Sequence, residues 1–316
     1  MPTKKTILVT GGAGFIGSNL IRRLLSEKHK IICVDNLITG SYENIRDWLA
    51  SPDFIFIDHD ITETMPALPD KIDQIYNLAC PASPVDFPRY PIKILKVCSN
   101  GVNNMLDLAM ENQAAILHAS TSEIYGDPQV HPQKESYRGY VNTLGVRSCY
   151  DEGKRFAESL ISSYIRKYKV KAKMVRIFNT YGPGMRANDG RVMPNFINQA
   201  MENKPITVYG QGEQTRSFSY VDDLVSGLIK MMESDEIGPF NLGNPVETKI
   251  SDLAAKIVKL TGSQSRIEFR PLPQDDPTKR KPDITLAREK LGWEPKVNLN
   301  EGLKKTIEYF KKLQKL

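Results

Sequence analysis

Tyr150 and Lys154 stand four residues apart in Tyr150-Asp-Glu-Gly-Lys154, so on a helix they share one face. An ammonium beside a phenol favours the phenolate and brings the tyrosine toward the range of a useful base. Such a base can take a hydroxyl proton while hydride leaves the same carbon. The run Ser120-Thr121-Ser122-Glu123 closes a strand-like segment, and polar groups at the carboxyl end of a buried strand lie where open α/β sheets bind ligands. Thr121 or Ser122 can hydrogen-bond an oxygen that becomes a ketone, and Glu123 is a candidate acid or base. Taken singly, each feature also fits a surface helix, a turn-capping hydroxyl or a solvated carboxylate.

Hydride needs an acceptor, and the N-terminal segment offers a place for one. Gly11, Gly14 and Gly17 fall in Gly-Gly-Ala-Gly-Phe-Ile-Gly at a strand-to-helix turn. Glycines there allow a tight turn and close approach of a pyrophosphate, which the open N–H groups around Phe15 and Ile16 can bind. Asp35 ends the next strand, 18 residues beyond Gly17. An acid there accepts from a ribose 2′-hydroxyl and repels a 2′-phosphate, which favours NAD over NADP. Asn36 beside it, Asp60-Ile61 after the third strand and Leu78 at the end of the fourth complete the expected cofactor-binding set, with Asp60-Ile61 placed to reach the adenine.

The elements that must hold these groups are legible as alternating strands and helices. Strands are expected at Thr6–Thr10, Lys30–Asp35, Phe54–Asp58, Gln74–Leu78, Ala115–Ala119 and Lys173–Phe178, several of them apolar throughout. Between them, Phe15–Leu25 repeats Ile16, Leu20, Ile21, Leu24 and Leu25 at helical spacing. This alternation predicts an α/β protein, a Rossmann-type doubly wound parallel sheet. Residues 1–180 form the expected NAD-binding domain, with later segments returning to it, and 181–316 mainly a smaller substrate-binding lobe. Leu299, Leu303, Ile307, Phe310 and Leu313 form the apolar stripe of a last helix, with Lys304, Lys305, Lys311, Lys312 and Lys315 off it.

Composition narrows the classes. The 316 residues carry 43 Lys and Arg against 37 Asp and Glu, and the whole excess of +6 lies beyond residue 240. Most of it is the solvated face of the last helix, without the interleaved aromatics of a base-stacking surface, so no nucleic-acid partner is expected. Cys33, Cys80, Cys98 and Cys149 have no CxxC spacing, and the four histidines do not join them, so neither a disulfide framework nor a metal site is expected. The apolar runs are too short for a membrane span. A cytoplasmic, reduced protein is the expectation.

Together the glycine motif, Asp35, Ser120-Thr-Ser-Glu-Ile-Tyr-Gly126 and Tyr150-Asp-Glu-Gly-Lys154 resemble the extended short-chain dehydrogenases that act on nucleotide sugars. Further segments are similar to the UDP-glucuronate decarboxylase branch: Tyr125–Pro128, His131–Gln133, Arg147–Arg155, Arg176–Pro183, Asn188–Val192, Thr207–Gly210, Gln214–Arg216, Asp275-Asp276-Pro277 and Arg280–Ile284. The resemblance spans nearly the whole chain. It implies C4 oxidation by Tyr150 and Lys154 with a recycled NAD, then loss of the C6 carboxylate from a transient 4-keto sugar. It implies that Arg280 positions the carboxylate or stabilises developing charge. It further implies that Asn179, Arg191 and Arg216 contact the diphosphate and ribose, and that Thr207 and Tyr209 contact the uridine. A homodimer through a helix pair that includes Ser148–Lys169 is implied as well.

The chain departs from that pattern at Arg138, where an aromatic residue is expected, at Thr143 and Val146, where prolines are, and at Gly184, where a basic residue is. A nucleotide-sugar 4,6-dehydratase or 4-epimerase is the alternative, since both begin with C4 oxidation. Hexose dehydratases carry Asp-Glu where this chain has Ser122-Glu123. A non-catalytic NAD-binding regulator would need neither Tyr150 nor Lys154.

Overall fold

The computed structural model describes residues 3–271 and 279–314. The Asp275-Asp276-Pro277 segment and Lys315 lie outside the described residues. Seven strands form one parallel sheet: β1 (Thr6–Thr10), β2 (Lys30–Asp35), β3 (Phe54–Asp58), β4 (Gln74–Asn77), β5 (Ala115–Thr121), β6 (Ala172–Ile177) and β7 (Phe240–Leu242). Their order is β7-β6-β5-β4-β1-β2-β3. The chain winds outward from β1 to β3, then crosses back to β4 on the other side of β1. That reversal opens a crevice at the carboxyl ends of β1 and β4.

All the strands except the edge strand β3, which is half-buried, are buried on both faces, which is why several read as continuous apolar runs. Ile7 and Val9 of β1 join one core cluster, whereas Leu8 points into the other. The first cluster is closed by α1 (Phe15–Ser26), and the second by α3 (Val102–Asn112), which follows the short α2 (Pro91–Lys96), and by α4 (Ser148–Tyr168). Two strand ends differ from expectation. β4 ends at Asn77, one residue before Leu78, whose N–H makes the last bond to the Thr10 carbonyl, while β5 continues to Thr121. The sixth strand starts and stops one residue earlier than its sequence pattern indicates.

Later segments build the second lobe: α5 (Val192–Met201), α6 (Val221–Glu233), α7 (Ile250–Thr261), α8 (Thr285–Leu291) and α9 (Leu299–Leu313) with short strand pairs. Of these, α6 leads back to β7 and packs on the main sheet. The lobe has no separate core. Val208, Leu253, Ile257, Leu303, Ile307 and Phe310 belong to the same apolar cluster as Ile7 and Leu20. Lys304, Lys305, Lys311 and Lys312 lie on the exposed face of α9, as the stripe predicts. Trp293 is buried, and its indole N–H donates to the Asp223 carbonyl at 2.9 Å.

Candidate active site

A cavity of about 490 Å³ occupies the crevice. Every residue singled out above as catalytic or ligand-binding lines it, from Gly11, Gly14, Phe15, Ile16, Gly17, Asp35, Asn36, Asp60, Ile61 and Leu78 at one end to Asn179, Arg191, Thr207, Tyr209, Arg216 and Arg280 at the other. Thr121, Ser122, Glu123, Tyr150 and Lys154 lie on its walls as well.

The first end is made of backbone. Gly11 has φ +67°, and a Cβ there would lie 2.8 Å from the Ala79 Cα. A Cβ on Gly17 would run into the Gly11 carbonyl. Gly14 caps α1 with no side chain, so the first N–H groups of the helix stay open toward the cavity. Gly12, which the motif reading passed over, is required too, since a Cβ there would meet the Cys33 sulfur and Ile21. Asp35 is buried and accepts from the N–H groups of Ala13 at 3.0 Å and Leu37 at 2.9 Å. Burial pushes its carboxyl up, and those two bonds oppose the rise. Burial also pushes Asp60 up, but Lys93, Thr62 and Asn36 outweigh it and hold the carboxyl at about 2. An open helix terminus, a cradle that admits no Cβ and an acid facing the second strand's end fit a dinucleotide.

The middle is made of side chains from four elements. Tyr150 sits in the first turn of α4, with its ring stacked on Phe87 at 5.0 Å and 19°. Lys154 is one turn on, its ammonium 5.9 Å from the Tyr150 ring centre and donating to the Ala119 carbonyl at 2.7 Å. The expected lowering of the tyrosine by this cation is outweighed in the free protein. Burial pushes Tyr150 well above its ordinary value, with Cys80 adding to the rise and Thr121 opposing it. The Thr121 hydroxyl caps the turn that follows β5 by accepting from the Glu123 N–H at 3.2 Å. The Cys80 and Cys98 sulfurs lie 3.9 Å apart behind this wall, and all four cysteines are free thiols.

Arg280 is not part of a surface charge cluster. Its side chain is 2% exposed, with Nη1 donating to Glu123 Oε1 at 2.9 Å and Ser122 Oγ at 3.1 Å, and Nη2 to the Gly126 carbonyl at 2.9 Å. It arrives on a short strand, Lys279–Arg280, that pairs with Thr215–Ser217 and sets Arg280 opposite Arg216. Arg147, one turn before Tyr150, grips the other Glu123 oxygen. Burial pushes Glu123 up, but Arg280 and Arg147 reverse this and hold it at about 2, so the free protein presents a carboxylate and not an acid. Asp151 behaves oppositely. Burial, and then the Glu123 charge, raise it to about 7.

At the far end Arg191 makes a two-pronged pair with Asp189, at 2.6 and 2.9 Å. Gln199 brackets Thr207, donating to its hydroxyl at 2.9 Å and accepting from its N–H at 3.1 Å. Arg216 donates to the Thr215 carbonyl at 2.9 Å, and Tyr209 is 42% exposed. Gly184 has φ +92°, a backbone region that disfavours the basic side chain expected there, and a guanidinium reaches the cavity from Arg186 instead. Arg147 carried a local signal, its helical spacing from Tyr150. Asp86 and Arg186 carried none, being 100 residues apart and joined at 2.5 Å. Among the described residues no group of His, Cys, Asp or Glu could hold a metal ion.

Comparison with known proteins agrees with this geometry. The GDP-mannose 4,6 dehydratase family profile matches residues 8–306. UDP-glucuronic acid decarboxylase 1 of Xenopus tropicalis is 51% identical over 98% of this chain and 73% of its own length. UDP-glucuronic acid decarboxylase 6 of Arabidopsis thaliana is 51% identical over 96% of this chain and 88% of its own. Among solved structures, UDP-glucose 4-epimerase of Thermotoga maritima with UDP-glucose superposes with TM-score 0.88 at 30% identity, covering 98% of this chain and 99% of that one. UDP-glucuronic acid 4-epimerase of Bacillus cereus, in complex with UDP-glucuronic acid and NAD, gives 0.87 at 28% identity over the same shares. This chain therefore belongs to the GDP-mannose 4,6 dehydratase family, in the group that contains the UDP-glucuronic acid decarboxylases.

Proposed function

We propose that the protein is an NAD-dependent UDP-glucuronate decarboxylase that forms UDP-xylose through a transient 4-keto sugar. The observation that carries this is Arg280, a buried guanidinium set between Ser122 and Glu123 within the Tyr150–Lys154 cavity. Arg280 already has Glu123 as a counter-charge, and a C6 carboxylate can share that guanidinium in a way that a neutral hexose cannot. Ser122 in place of an Asp supports the same choice over a hexose dehydratase.

NAD, when bound, would supply the hydride acceptor that C4 oxidation needs. The glycine turn and the N-terminus of α1 hold its pyrophosphate, and Asp35 its adenosine ribose. Tyr150 accepts the C4 hydroxyl proton, with Lys154 fixing the local charge and Thr121 or Ser122 holding the oxygen as it becomes a ketone. That ketone is β to the C6 carboxylate and can receive the electron pair released with CO₂. Arg280 positions the carboxylate and stabilises the charge that develops. Glu123 assists at the sugar; a proton is taken up at C5, where CO₂ left, the hydride returns to C4, and Tyr150 gives its proton back to the C4 oxygen. Asn179, Arg191 and Arg216 face the diphosphate and ribose, and Thr207 and Tyr209 the uridine. Residues 1–180 serve mainly the cofactor and 181–316 mainly the nucleotide sugar.

Incubation with UDP-glucuronate and NAD⁺ should release CO₂ and yield a UDP-pentose without net NADH. Dehydration of a UDP- or dTDP-hexose, with no CO₂ from the acid, would sink this reading. A homodimer is part of the proposal: Phe156 and Tyr168 of α4 are 52% and 47% exposed, while Ala157 and Ile161 already face inward. Light scattering of wild type and Phe156→Glu tests it, with a monomeric wild type counting against it. Free thiols support a reducing, cytoplasmic setting, and no helix among the described residues is long and apolar enough to cross a membrane.

A further inference from the structure

The loop between β4 and α2 carries an acid that the chemistry above does not use. Asp86 is 1% exposed, lines the cavity and pairs through Oδ2 with Arg186 at 2.5 Å. Its other oxygen, Oδ1, is buried with no hydrogen-bond partner among the described residues. A buried, unsatisfied carboxylate oxygen is costly, so one on a residue that lines a ligand cavity calls for a donor on the ligand.

Its neighbours say which part of a ligand that is. The next residue, Phe87, stacks on the ring of Tyr150, so Asp86 is the neighbour of the side chain that packs on the proposed base. Tyr150, Asp86 and Arg191 all line this one cavity. The loop is also fastened to the opposite wall. Ser83 donates to the Asp189 carbonyl, and a Cβ on Gly190 would strike Val85. The loop of Asp86 thus packs on Tyr150 and is tied to the segment that carries Arg191, the two residues assigned to C4 and to the diphosphate at C1. A hexose lying there presents its 2- and 3-hydroxyls. The pairing with Arg186 solves an electrostatic problem too, since it offsets a negative charge that would repel an anionic substrate.

We propose that Asp86 is a specificity-determining residue whose free Oδ1 accepts a hydrogen bond from a ring hydroxyl, at C2 or C3, of the nucleotide sugar. Arg186 is its positioning residue. The inference rests on the nucleotide-sugar reading above and adds the contact that reads the sugar ring.

The test is a cycle of protein and ligand changes. Wild type should turn over whichever of UDP-2-deoxyglucuronate and UDP-3-deoxyglucuronate lacks the contacting hydroxyl on the order of tenfold to a hundredfold less well in kcat/KM. Asp86→Ala should lose a similar factor with UDP-glucuronate and little more with that deoxy sugar. A purely structural role predicts otherwise, because both deoxy sugars would then lose the same factor in the two proteins, and that result overturns the proposal. Calorimetry covers the case in which no turnover is seen. Asp86→Ala should bind UDP as wild type does but lose most of the extra affinity that UDP-xylose has over UDP, and an unchanged difference counts against the contact. Failure of decarboxylation in wild type would thus remove the functional reading without deciding this one. If Asp86→Ala does not fold, Arg186→Gln serves instead. It should raise KM for UDP-glucuronate more than tenfold with kcat nearly kept, and an unchanged KM overturns the pairing's role.

Discussion

The two ends of the cleft are built on different principles. The cofactor end is backbone: a glycine turn, an open helix terminus and carbonyls that leave no room for a Cβ, all drawn mainly from one βαβ unit. The sugar end is charge. Glu123, Arg147 and Arg280 form one linked set, Asp86 and Arg186 a second, and Asp189 and Arg191 a third, gathered from segments far apart in the chain. A backbone site can be shaped before anything binds, and the charges that edge this one are Asp35 and the Asp60–Lys93 pair. A charge site exchanges partners when an anionic ligand arrives and carries its acids and bases well away from their ordinary values.

The largest effect expected is at the boundary between the two ends. Tyr150→Phe should lower kcat by about a thousandfold or more, while NAD affinity by calorimetry stays near wild type. Comparable loss of both would erase the distinction between the ends.

Next comes Asp151, held at about 7 by burial and by Glu123. A carboxyl raised in the folded state costs nothing below its unfolded value near 4, and its cost grows as pH rises from there to about 7. Asp151→Asn should therefore be more stable than wild type by roughly 2–4 kcal/mol at pH 8, and close to equal at pH 3.5, in thermal or denaturant unfolding. Glu123 has the opposite sign. Its contribution is present above pH 4.5 and is lost as pH falls toward 2, so Glu123→Gln should flatten the acid limb of stability.

Gly17→Ala probes the backbone end. Its Cβ meets a carbonyl that cannot swing aside, so stability should fall by about 1–3 kcal/mol and NAD affinity by more than tenfold, with UDP affinity kept. The smallest effect is a control. Arg22 and Asp222 form an exposed pair between α1 and α6, and Arg22→Ala should shift stability by under about 1 kcal/mol with no change in either affinity.

The same contrast decides what can be read from sequence. Ile7, Leu8 and Val9 announce a strand buried on both faces, and Gly11, Gly14 and Gly17 a turn, because local sterics dictate both. Tyr150 and Lys154 are legible because helical spacing alone puts them on one side. Glu123 and Arg280 could be named, yet their contact could not, since it depends on a strand pairing between residues 215–217 and 279–280. Asp86 with Arg186 left no trace at all, and the departure at Gly184 made sense only once the backbone angle there was visible. Nor could composition show that the second lobe shares its core with the first.

Arg280 joins Glu123 across 157 residues of chain. During synthesis from the N-terminus, the glycine turn and the Tyr150–Lys154 helix emerge long before it. The last helix, which supplies Leu303, Ile307 and Phe310 to the common core, emerges later still. The guanidinium that meets Glu123 is thus made well after the glycine motif and the Tyr150–Lys154 pair. A nascent chain that has not yet reached residue 280 displays the whole glycine turn and all seven strands of the sheet and still lacks Arg280, so completion of the cavity trails completion of the sheet.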